Sequence, residues 1–449
     1  MYCLEEDMKG DEKGHLKNLG LASLGAVLEY FDFVVYVYVA AFLSDAFFPP
    51  NASPWIRLVQ AFSIYAIGYL VRPLAGVAIA HFADRIGRKK LFVFTVLLMS
   101  VPTFLMGLLP TYAQVGWFAP AALLLLRTLQ GCAVGGELPG ASVFISEHAS
   151  ANRLGFYSGI FFGIVNCGLL LGAAAAKVSA LVADIHPDFV SLQWRLPFML
   201  GGAFGLMAAY LRRHLQETPL FAEIREERAK SKKIPLAVVL EQHKRACLFA
   251  LGLVFVMSTT SGVYFQYLPN YLIVQLHYAK DTVFTANVIG VLAFVASMPA
   301  WGKLSDIVGW GKTIAIGAVV SACVSVWFFH YIRVAATADV HLTYAFVVVG
   351  LAAGCVHSTV PGLISSLFPT LIRQTGYTFP YSIGTAVFTG LTPLALAWLV
   401  KYYGLDAPMY AFLLACGVAL IIAATVHLLP LYLGRTRPGA TRDAIQPVH

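Results

Sequence analysis

Four ionisable side chains, Glu29, Asp32, Arg72 and Arg127, lie inside long apolar stretches of the sequence. A charge at the depth of a bilayer centre costs about 2.5–3.5 kcal/mol or more, so it normally faces a cavity or a partner. A carboxylate can take up and release a proton, whereas an arginine stays charged and binds a carboxylate through two parallel hydrogen bonds. These residue types together are suited to proton exchange coupled to the binding of an anionic group.

The composition indicates that these residues are carried by membrane helices. Of the 449 residues, 59% are hydrophobic and 12% are charged, whereas soluble domains contain about 25% charged residues. A water-soluble protein is therefore excluded. Apolar stretches long enough to cross a bilayer lie at 20–48, 55–80, 91–110, 117–147, 154–176, 194–211, 246–276, 283–301, 313–332, 341–368, 374–400 and 407–434. The sequence predicts an all-α membrane protein with twelve transmembrane helices.

The distribution of basic residues predicts the orientation of these helices. With the N-terminus inside, 23 of the 31 Lys and Arg residues fall on cytoplasmic segments and 6 at the outer ends of spans. Such a bias predicts that both termini are cytoplasmic. The first seventeen residues are rich in charge and lack the apolar core of a signal peptide. The net charge of +8 then reflects orientation, and no nucleic-acid partner is predicted.

The chain divides into two related halves. We expect a tail at 1–19, a six-helix bundle at 20–214, a charged cytoplasmic linker at 215–245, a second bundle at 246–434 and a tail at 435–449. The pattern Ala80-x-x-x-Asp84-x-x-Gly87 recurs 222 residues later as Gly302-x-x-x-Asp306 with Gly309 after it. Duplicated halves around a central site are typical of transporters, so the two bundles are predicted to be pseudo-symmetric.

The ionisable residues in the spans are predicted to lie at similar depth. Asp32 is roughly 18 Å above the start of span one, and Arg127 is roughly 15 Å from the outer end of span four. Two interpretations remain open. Asp32 pairs with Arg127 until a proton neutralises it, or the two residues form a permanent ion pair that joins spans one and four. Glu29 lies one turn below Asp32, and Arg72 binds either a substrate carboxylate or backbone carbonyls beside Pro73.

Polar and aromatic residues complete the predicted cavity. Thr260, Tyr264 and Tyr267 share one helical face, although tyrosines at this spacing also suit packing. His357 is a candidate pH-responsive ligand or a buried neutral side chain. Glu137 is either a second proton site or a group bonded to backbone. The remaining candidate substrate ligands are Tyr30, Tyr36, Gln130 and Asn270.

Two motifs resemble those of the major facilitator superfamily. The segment HFADRIGRKK at 81–90 is similar to the loop pattern G-x-x-x-D-R-x-G-R-[RK], with Ala80 at the glycine position, and RTLQG at 127–131 is similar to R-x-x-Q-G. The resemblance implies that an acid of span one opposite the span-four arginine is the proton site, which favours Asp32 over Glu29. It also implies a cytoplasmic gate, for which the candidates are Asp84, Arg85, Gly87, Arg88, Glu147, Asp306 and Arg373.

Further segments resemble the metabolite:proton symporter branch of this superfamily. They are LEYFDF (28–33), VRPLAG (71–76), LQGCAVGGELPGA (129–141), WRLPF (194–198), ETPLF (217–221) and FPTLIRQTGY (368–377). The branch implies a bacterial inner-membrane carrier of organic acids or zwitterionic solutes. The resemblance also implies that the proton gradient drives transport, without a bound cofactor.

The predicted function is proton-coupled symport of a small organic acid, resembling a di- or tricarboxylate, by a monomer embedded in lipid. Uptake of a zwitterionic osmolyte such as betaine or proline is the alternative, because aromatic faces suit a quaternary ammonium. Transport of a carboxylate-type metal chelator is a third possibility. A membrane sensor belongs to a different class. The sequence contains no H-E-x-x-H, no G-x-S-x-G and no metal-ligand cluster, so an enzyme is not expected.

Overall fold

The computed structural model describes residues 26–28, 30–73, 75, 88–133, 137–149, 151–185, 191–212, 235–334, 339–370 and 372–432. Twelve helices, numbered α1 to α12, follow the order of the twelve predicted spans. The end of the bundle at which α1 begins is called the proximal end, and the end at which α1 finishes is called the distal end.

The first half contains six helices. They are α1 (Ala26–Tyr38 and Ala40–Phe47), α2 (Pro54–Leu70), α3 (Arg88–Leu108), α4 (Phe118–Ala133 and Glu137–His148), α5 (Leu154–Ile185) and α6 (Leu192–Arg212). Short helices at Tyr112–Val115 and Ala151–Arg153 precede α4 and α5.

The second half contains the other six. They are α7 (Lys244–Ser261, a π-helical segment Gly262–Tyr267, and Leu268–Val274), α8 (Lys280–Val308), α9 (Trp310–Val334), α10 (Asp339–Ser366), α11 (Arg373–Gly384, a π-helical segment Thr385–Thr389, and Gly390–Tyr403) and α12 (Ala407–Thr425). Short helices at Pro235–Gln242 and Val426–Leu428 flank this half.

The helices have the length and surface expected for a bilayer. Within the described residues, eight helices are individually long and apolar enough to span a membrane, and the two segments of α1 together form a ninth. Large apolar side chains face outward, including Leu248, Phe94 and Ile421, each more than half exposed. Such a surface is stable only against lipid. The predicted all-α membrane fold is confirmed.

Local sequence signals explain where several helices begin and where they break. Ser53 caps α2 by accepting a hydrogen bond from Ile56 N, and Pro54 occupies the first turn, where its missing N–H is not needed. The sequence predicts span one as one continuous helix, but α1 bends by 56° between Tyr38 and Ala40. Residues 215–234 of the predicted charged linker and both terminal tails lie outside the described residues.

Close backbone approach joins the two halves along α5 and α8. Gly155 lies against Gly302, and Gly159 lies against Met298 O, so closely that a methyl group at either glycine would overlap backbone atoms. Helices α2 and α11 form a second junction, where Gly390 lies against Tyr69. The two halves therefore approach closely along these two pairs of helices, and α1 contacts both α4 and α7.

Candidate functional site

The centre of the candidate site is the Phe33 ring of α1, which lies between two guanidinium groups. Arg72 Cζ is 3.5 Å from the ring centroid, and Arg127 Cζ is 4.1 Å from it. Arg72 also lies 4.0 Å from the centroid of Tyr69. Neither arginine forms an ion pair with any residue in the described parts of the chain. Two cations at the centre of a helix bundle, neither paired with a described carboxylate, are suited to binding an anion.

Arg127 is fully buried, and glycine creates the space for it. A Cβ on Gly68 of α2 would lie 2.9 Å from Arg127 Nε. The guanidinium donates hydrogen bonds to Gln130 Oε1 and to Phe33 O, the latter at 3.1 Å. It also lies 4.8 Å from the Tyr36 ring and 5.0 Å from the Tyr65 ring. Arg127 is therefore held by aromatic faces and backbone rather than by a carboxylate.

The predicted ion pair between Asp32 and Arg127 is absent from the described ion pairs in this conformation. The Asp32 carboxylate instead points into the first half, where glycines of α6 leave room for it. A Cβ on Gly201 would lie 2.7 Å from Oδ1, and one on Gly205 would lie 3.1 Å from Oδ2. Because successive residues of a helix project in different directions, Phe33 faces the arginines while Asp32 faces α3 and α6.

Gln130 connects the two predicted partners. Its Nε2 donates to Asp32 O at 2.9 Å and to Thr103 Oγ1 at 2.8 Å, while its Oε1 accepts from Arg127. Sequence reasoning assigns Gln130 to substrate binding, but these contacts make it a link between α1, α3 and α4. A displacement of α1 at Asp32 would be transmitted to Arg127 through this amide.

Tyrosines from three helices surround Arg72. Tyr65 donates to Gln266 Oε1 of α7 at 2.7 Å and lies 3.3 Å from the Tyr69 hydroxyl. Tyr30 lies near Tyr69, Arg72 and Ser261. The group is completed by Tyr381 of α11, which lies near Tyr30, Arg72 and Tyr69. Tyr65, Tyr69, Tyr381 and Gln266 are missed by the sequence analysis, although Tyr65 and Tyr69 share a helical face with Arg72.

The structure places the predicted ligands of the second half differently. Tyr264 does not face the cavity, because its ring packs 4.8 Å from Phe412 and 5.8 Å from Phe328. The physical reason is the π-helical segment at Gly262–Tyr267, whose wider turn breaks the 3.6-residue periodicity assumed for this face. Tyr267 contacts Phe62 of α2 at 6.0 Å between ring centroids.

The polar groups of Tyr36 and Asn270 bond to backbone, and His357 packs against an aromatic ring. The Tyr36 hydroxyl donates to Ala61 O at 3.1 Å, so only its ring faces Arg127. Asn270 hydrogen-bonds the backbone of α1. His357 is buried against Phe294, with 4.8 Å between ring centroids, and its Nδ1 has no hydrogen-bond partner among the described residues.

Several candidate residues of the predicted cytoplasmic gate lie together at the proximal end. The Asp306 carboxylate accepts hydrogen bonds from Gly155 N at 2.7 Å and from Phe156 N at 2.8 Å, so α8 of one half caps α5 of the other. Arg373 of α11 lies 3.4 Å from Glu147 of α4, which is a second contact between the halves at this end. Asp306, one of the predicted gate residues, makes this cap directly. Glu29, Asp84, Arg85 and Gly87 lie outside the described residues, as do the side chains of Arg88 and Glu137.

We expect Asp306→Asn to favour opening of the proximal end. The amide retains one acceptor but loses the charge that the N-terminus of α5 attracts, an interaction of about 0.3–2 kcal/mol. Spin labels at Ala149 and Thr370, on opposite halves at this end, should show a larger population of long distances by double electron–electron resonance. Asp281→Asn, at the distal end of the same helix, is the control and should not lengthen this distance. An unchanged distribution in Asp306→Asn would show that the cap does not hold the gate.

Cross-half contacts also close the distal end. Trp55 Nε1 donates to Ala397 O at 3.1 Å, and Lys401 Nζ lies 4.3 Å from the Trp55 ring. Lys177 of α5 donates to Thr285 at 2.6 Å and lies 3.8 Å from Asp281 of α8. Sequence reasoning uses these lysines only to orient the helices. The halves thus touch at both ends. Between the two sets of contacts lies the arginine–tyrosine centre, which consists of Arg72, Arg127, Phe33, Tyr30, Tyr36, Tyr65, Tyr69 and Tyr381.

The arrangement is suited to binding rather than to covalent chemistry. In the described residues no group of three or more His, Cys, Asp or Glu side chains is placed to hold a metal ion. The chemically distinctive features are the two arginines that pair with no described carboxylate, the aromatic rings that face them, and the buried residue Asp32, whose backbone carbonyl is linked to Arg127 through Gln130. Such a site can recognise a carboxylate and a cationic group on one small molecule.

Comparisons with known proteins show the family of the chain. Residues 22–379 match the family described as the Major Facilitator Superfamily. The chain is 33% identical to the proline/betaine transporter of Salmonella typhimurium over 421 residues, which cover 90% of this chain and 82% of the relative. It is also 33% identical to the glycine betaine/proline/ectoine/pipecolic acid transporter OusA of Dickeya dadantii, with the same coverage.

Solved structures show the same fold. The crystal structure of a D-xylose-proton symporter aligns with a TM-score of 0.67 and 16% identity, covering 91% of this chain and 96% of that chain. The structure of a proton:xylose symporter bound to 6-bromo-6-deoxy-D-glucose aligns with a TM-score of 0.70 and 16% identity, covering 93% and 96%. The twelve-helix chain belongs to the major facilitator superfamily of secondary transporters.

Proposed function

We propose that this transporter takes up a zwitterionic osmolyte of the betaine and proline class together with protons. The observation that carries this proposal is the pair of guanidinium groups that lie 3.5 and 4.1 Å from the centroid of the Phe33 ring, among tyrosine rings, without an ion pair to a described residue. This centre offers one subsite for a carboxylate and another for an organic cation. A zwitterion has both groups.

The carboxylate is assigned to the arginines. Arg72 and Arg127 make no ion pair with described residues, so each keeps its charge available for a ligand. Arg127 uses its hydrogen bonds to hold Phe33 and Gln130, whereas Arg72 makes only ring contacts. Arg72 is therefore the more accessible donor, and Arg127 adds a fixed positive field.

The cationic group is assigned to the aromatic cluster. A quaternary ammonium has no N–H to donate, and it binds instead over the faces of aromatic rings, with about 0.5–2 kcal/mol for each well-placed ring. The rings of Phe33, Tyr36, Tyr65 and Tyr69 already lie against guanidinium groups at 3.5–5.0 Å. A ligand ammonium can occupy the same kind of position when Arg72 turns toward the ligand carboxylate.

The names of the relatives support the zwitterion over the organic acid. The relatives named above are described as transporters of proline and betaine compounds. Arg127 already donates to Gln130 and to Phe33 O, so Arg72 is left as the main donor for one carboxylate, whereas a di- or tricarboxylate would need further cationic partners. Symport of an organic acid is therefore the second candidate, and transport of a metal chelator has no specific support.

Coupling and orientation form part of the same proposal. Asp32 carries the proton, and its link to Arg127 runs through Gln130. The proximal end faces the cytoplasm of a bacterial inner membrane, as the basic residues predict. The proton gradient supplies the driving force in place of a bound cofactor, and the proposal takes the protein to work in lipid as a monomer.

A competition experiment tests the substrate class. Proteoliposomes with an acidic exterior should accumulate radiolabelled glycine betaine, and proline should compete. The neutral isostere 3,3-dimethylbutanoate has the same shape and carboxylate but no cation, so we expect it to compete at least about tenfold more weakly. Equal competition by the isostere, or accumulation of citrate instead of glycine betaine, would overturn the proposal.

Matched variants test the role of the rings. Tyr69→Phe retains the aromatic face and should keep most of the affinity for glycine betaine. Tyr69→Leu removes the face at similar volume, and we expect an affinity loss of about twofold to thirtyfold, from about 0.5–2 kcal/mol. Competition by proline in both variants provides the comparison with a cation that is not quaternary. Equal losses in the two variants would assign the role to the hydroxyl.

A further inference from the structure

The break in α1 coincides with a side chain contributed by the other half. In a continuous helix, the N–H of residue 41 donates to the carbonyl of residue 37. Here Ala41 N donates to Asn270 Oδ1 at 3.1 Å, and Asn270 Nδ2 donates to Val37 O at 2.8 Å. The carboxamide of α7 thus bonds both backbone groups that would otherwise pair with each other. The bend of 56° lies between these two residues.

The distal part of α7 that carries Asn270 is itself set apart from its helix. It is the segment Leu268–Val274, which follows the π-helical turn at Gly262–Tyr267. Such π-helical turns interrupt the regular hydrogen-bond ladder and often occur at functional positions. The distal segment of α1, Ala40–Phe47, follows its own break. Two short helices, each beyond a break and each from a different half, are therefore joined by one amide.

The bend also brings other distal groups of α1 against the second half. Phe42 lies 6.1 Å from Phe284 of α8 between ring centroids, and Lys280 Nζ lies 4.9 Å from the Phe42 ring. These contacts lie beyond the bend, so a straight α1 would carry Phe42 in another direction. The side of α1 before the bend carries Phe33 and Tyr36, which face Arg127.

We infer that Asn270 is a positioning residue that keeps α1 bent while the distal end is closed. When α7 moves away, Ala41 N and Val37 O regain each other as partners, α1 straightens, and Phe42 leaves α8. The bend lies three residues beyond Tyr36. Opening of the distal end is thereby connected to the shape of the arginine–tyrosine centre. Asn270 acts through α1, because both N–H groups of Nδ2 donate to backbone carbonyls, those of Val37 at 2.8 Å and Gln266 at 3.3 Å, and Oδ1 accepts from Ala41 N.

The test measures the distal distance directly, so it does not depend on the identity of the substrate. Spin labels at Ala46 and Ala279 lie on opposite halves at the distal end. We expect Asn270→Leu to increase the population of long distances, and Asn270→Asp, which retains only the acceptor for Ala41 N, to give an intermediate result. Tyr271→Phe is the matched control, because its hydroxyl donates to Leu405 O and not to α1.

A second substitution distinguishes the bend from simple packing. Ala41→Pro removes the N–H that a straight helix needs, and proline is tolerated in the first turn of a helical segment. Ala41→Pro alone should keep the short distance. Combined with Asn270→Leu it should restore the short distance, because a permanently bent α1 seats Phe42 without the amide. The inference fails if Asn270→Leu leaves the distances unchanged, if Ala41→Pro alone lengthens them, or if the double variant shows no recovery.

Discussion

Replacing Asp32 by asparagine is expected to abolish accumulation of substrate while exchange of substrate across the membrane continues. A carboxylate can gain and lose a proton, and the amide of similar size cannot. One proton moving down 100 mV supplies about 2.3 kcal/mol, which corresponds to roughly fiftyfold accumulation. In Asp32→Asn the internal and external concentrations should become equal, whatever the size of the imposed gradient.

The position of Asp32 explains why binding should survive this substitution. Its carboxylate lies against Gly201 and Gly205 of α6, and the described ion pairs do not include one with Arg127, so we expect an amide there to leave the arginine–tyrosine centre in place. Its backbone carbonyl accepts from Gln130, and that bond does not depend on the side chain. Counterflow of labelled glycine betaine in preloaded vesicles measures the retained exchange.

Asp45→Asn is the matched control for Asp32→Asn. Asp45 lies on the same helix, is exposed and pairs with Arg57 at 3.0 Å. Exposed ion pairs contribute about 0–1 kcal/mol, so this variant should accumulate substrate normally. If Asp32→Asn still accumulates substrate against its gradient, another group carries the proton.

Hydropathy alone predicts the twelve helices, because each span must bury its own backbone hydrogen bonds in lipid and therefore reads as a local apolar stretch. The depth of Arg127 follows from counting residues along span four. The partners of Arg127 do not, because the direction of a side chain depends on how helices rotate against one another. Asp32 and Phe33 are adjacent in sequence, yet only Phe33 faces the arginines.

Features formed by distant residues escape prediction for the same reason. The break in α1 depends on Asn270, which is 229 residues from Ala41, and nothing in the local sequence of span one requires it. The tyrosine cluster combines Tyr30, Tyr69 and Tyr381 from three helices. The π-helical turn of α7 moves Tyr264 away from the face that regular spacing predicts. The buried acid and the arginines can be identified in the sequence, whereas the packing of the helices determines which groups these side chains face.

Arg127→Lys should strongly reduce substrate affinity although the charge is conserved. The guanidinium is planar and donates simultaneously to Gln130 Oε1 and Phe33 O while facing three rings. A lysine ammonium is a compact point charge without this fork. Loss of one charge-assisted hydrogen bond costs about 1.5–3 kcal/mol, which is roughly tenfold to 150-fold in affinity.

Arg195→Lys separates this effect from a general loss of stability. Arg195 also donates to two carbonyl oxygens, those of Gly107 at 2.8 Å and Leu109 at 2.9 Å, and lies 4.4 Å from an aromatic ring, that of Trp194. It is outside the candidate site, so its lysine variant should lose thermal stability without losing affinity. Equilibrium binding of labelled glycine betaine at matched protein stability compares the two. Undiminished affinity in Arg127→Lys would remove this arginine from the site and leave Arg72 as the anion-binding residue.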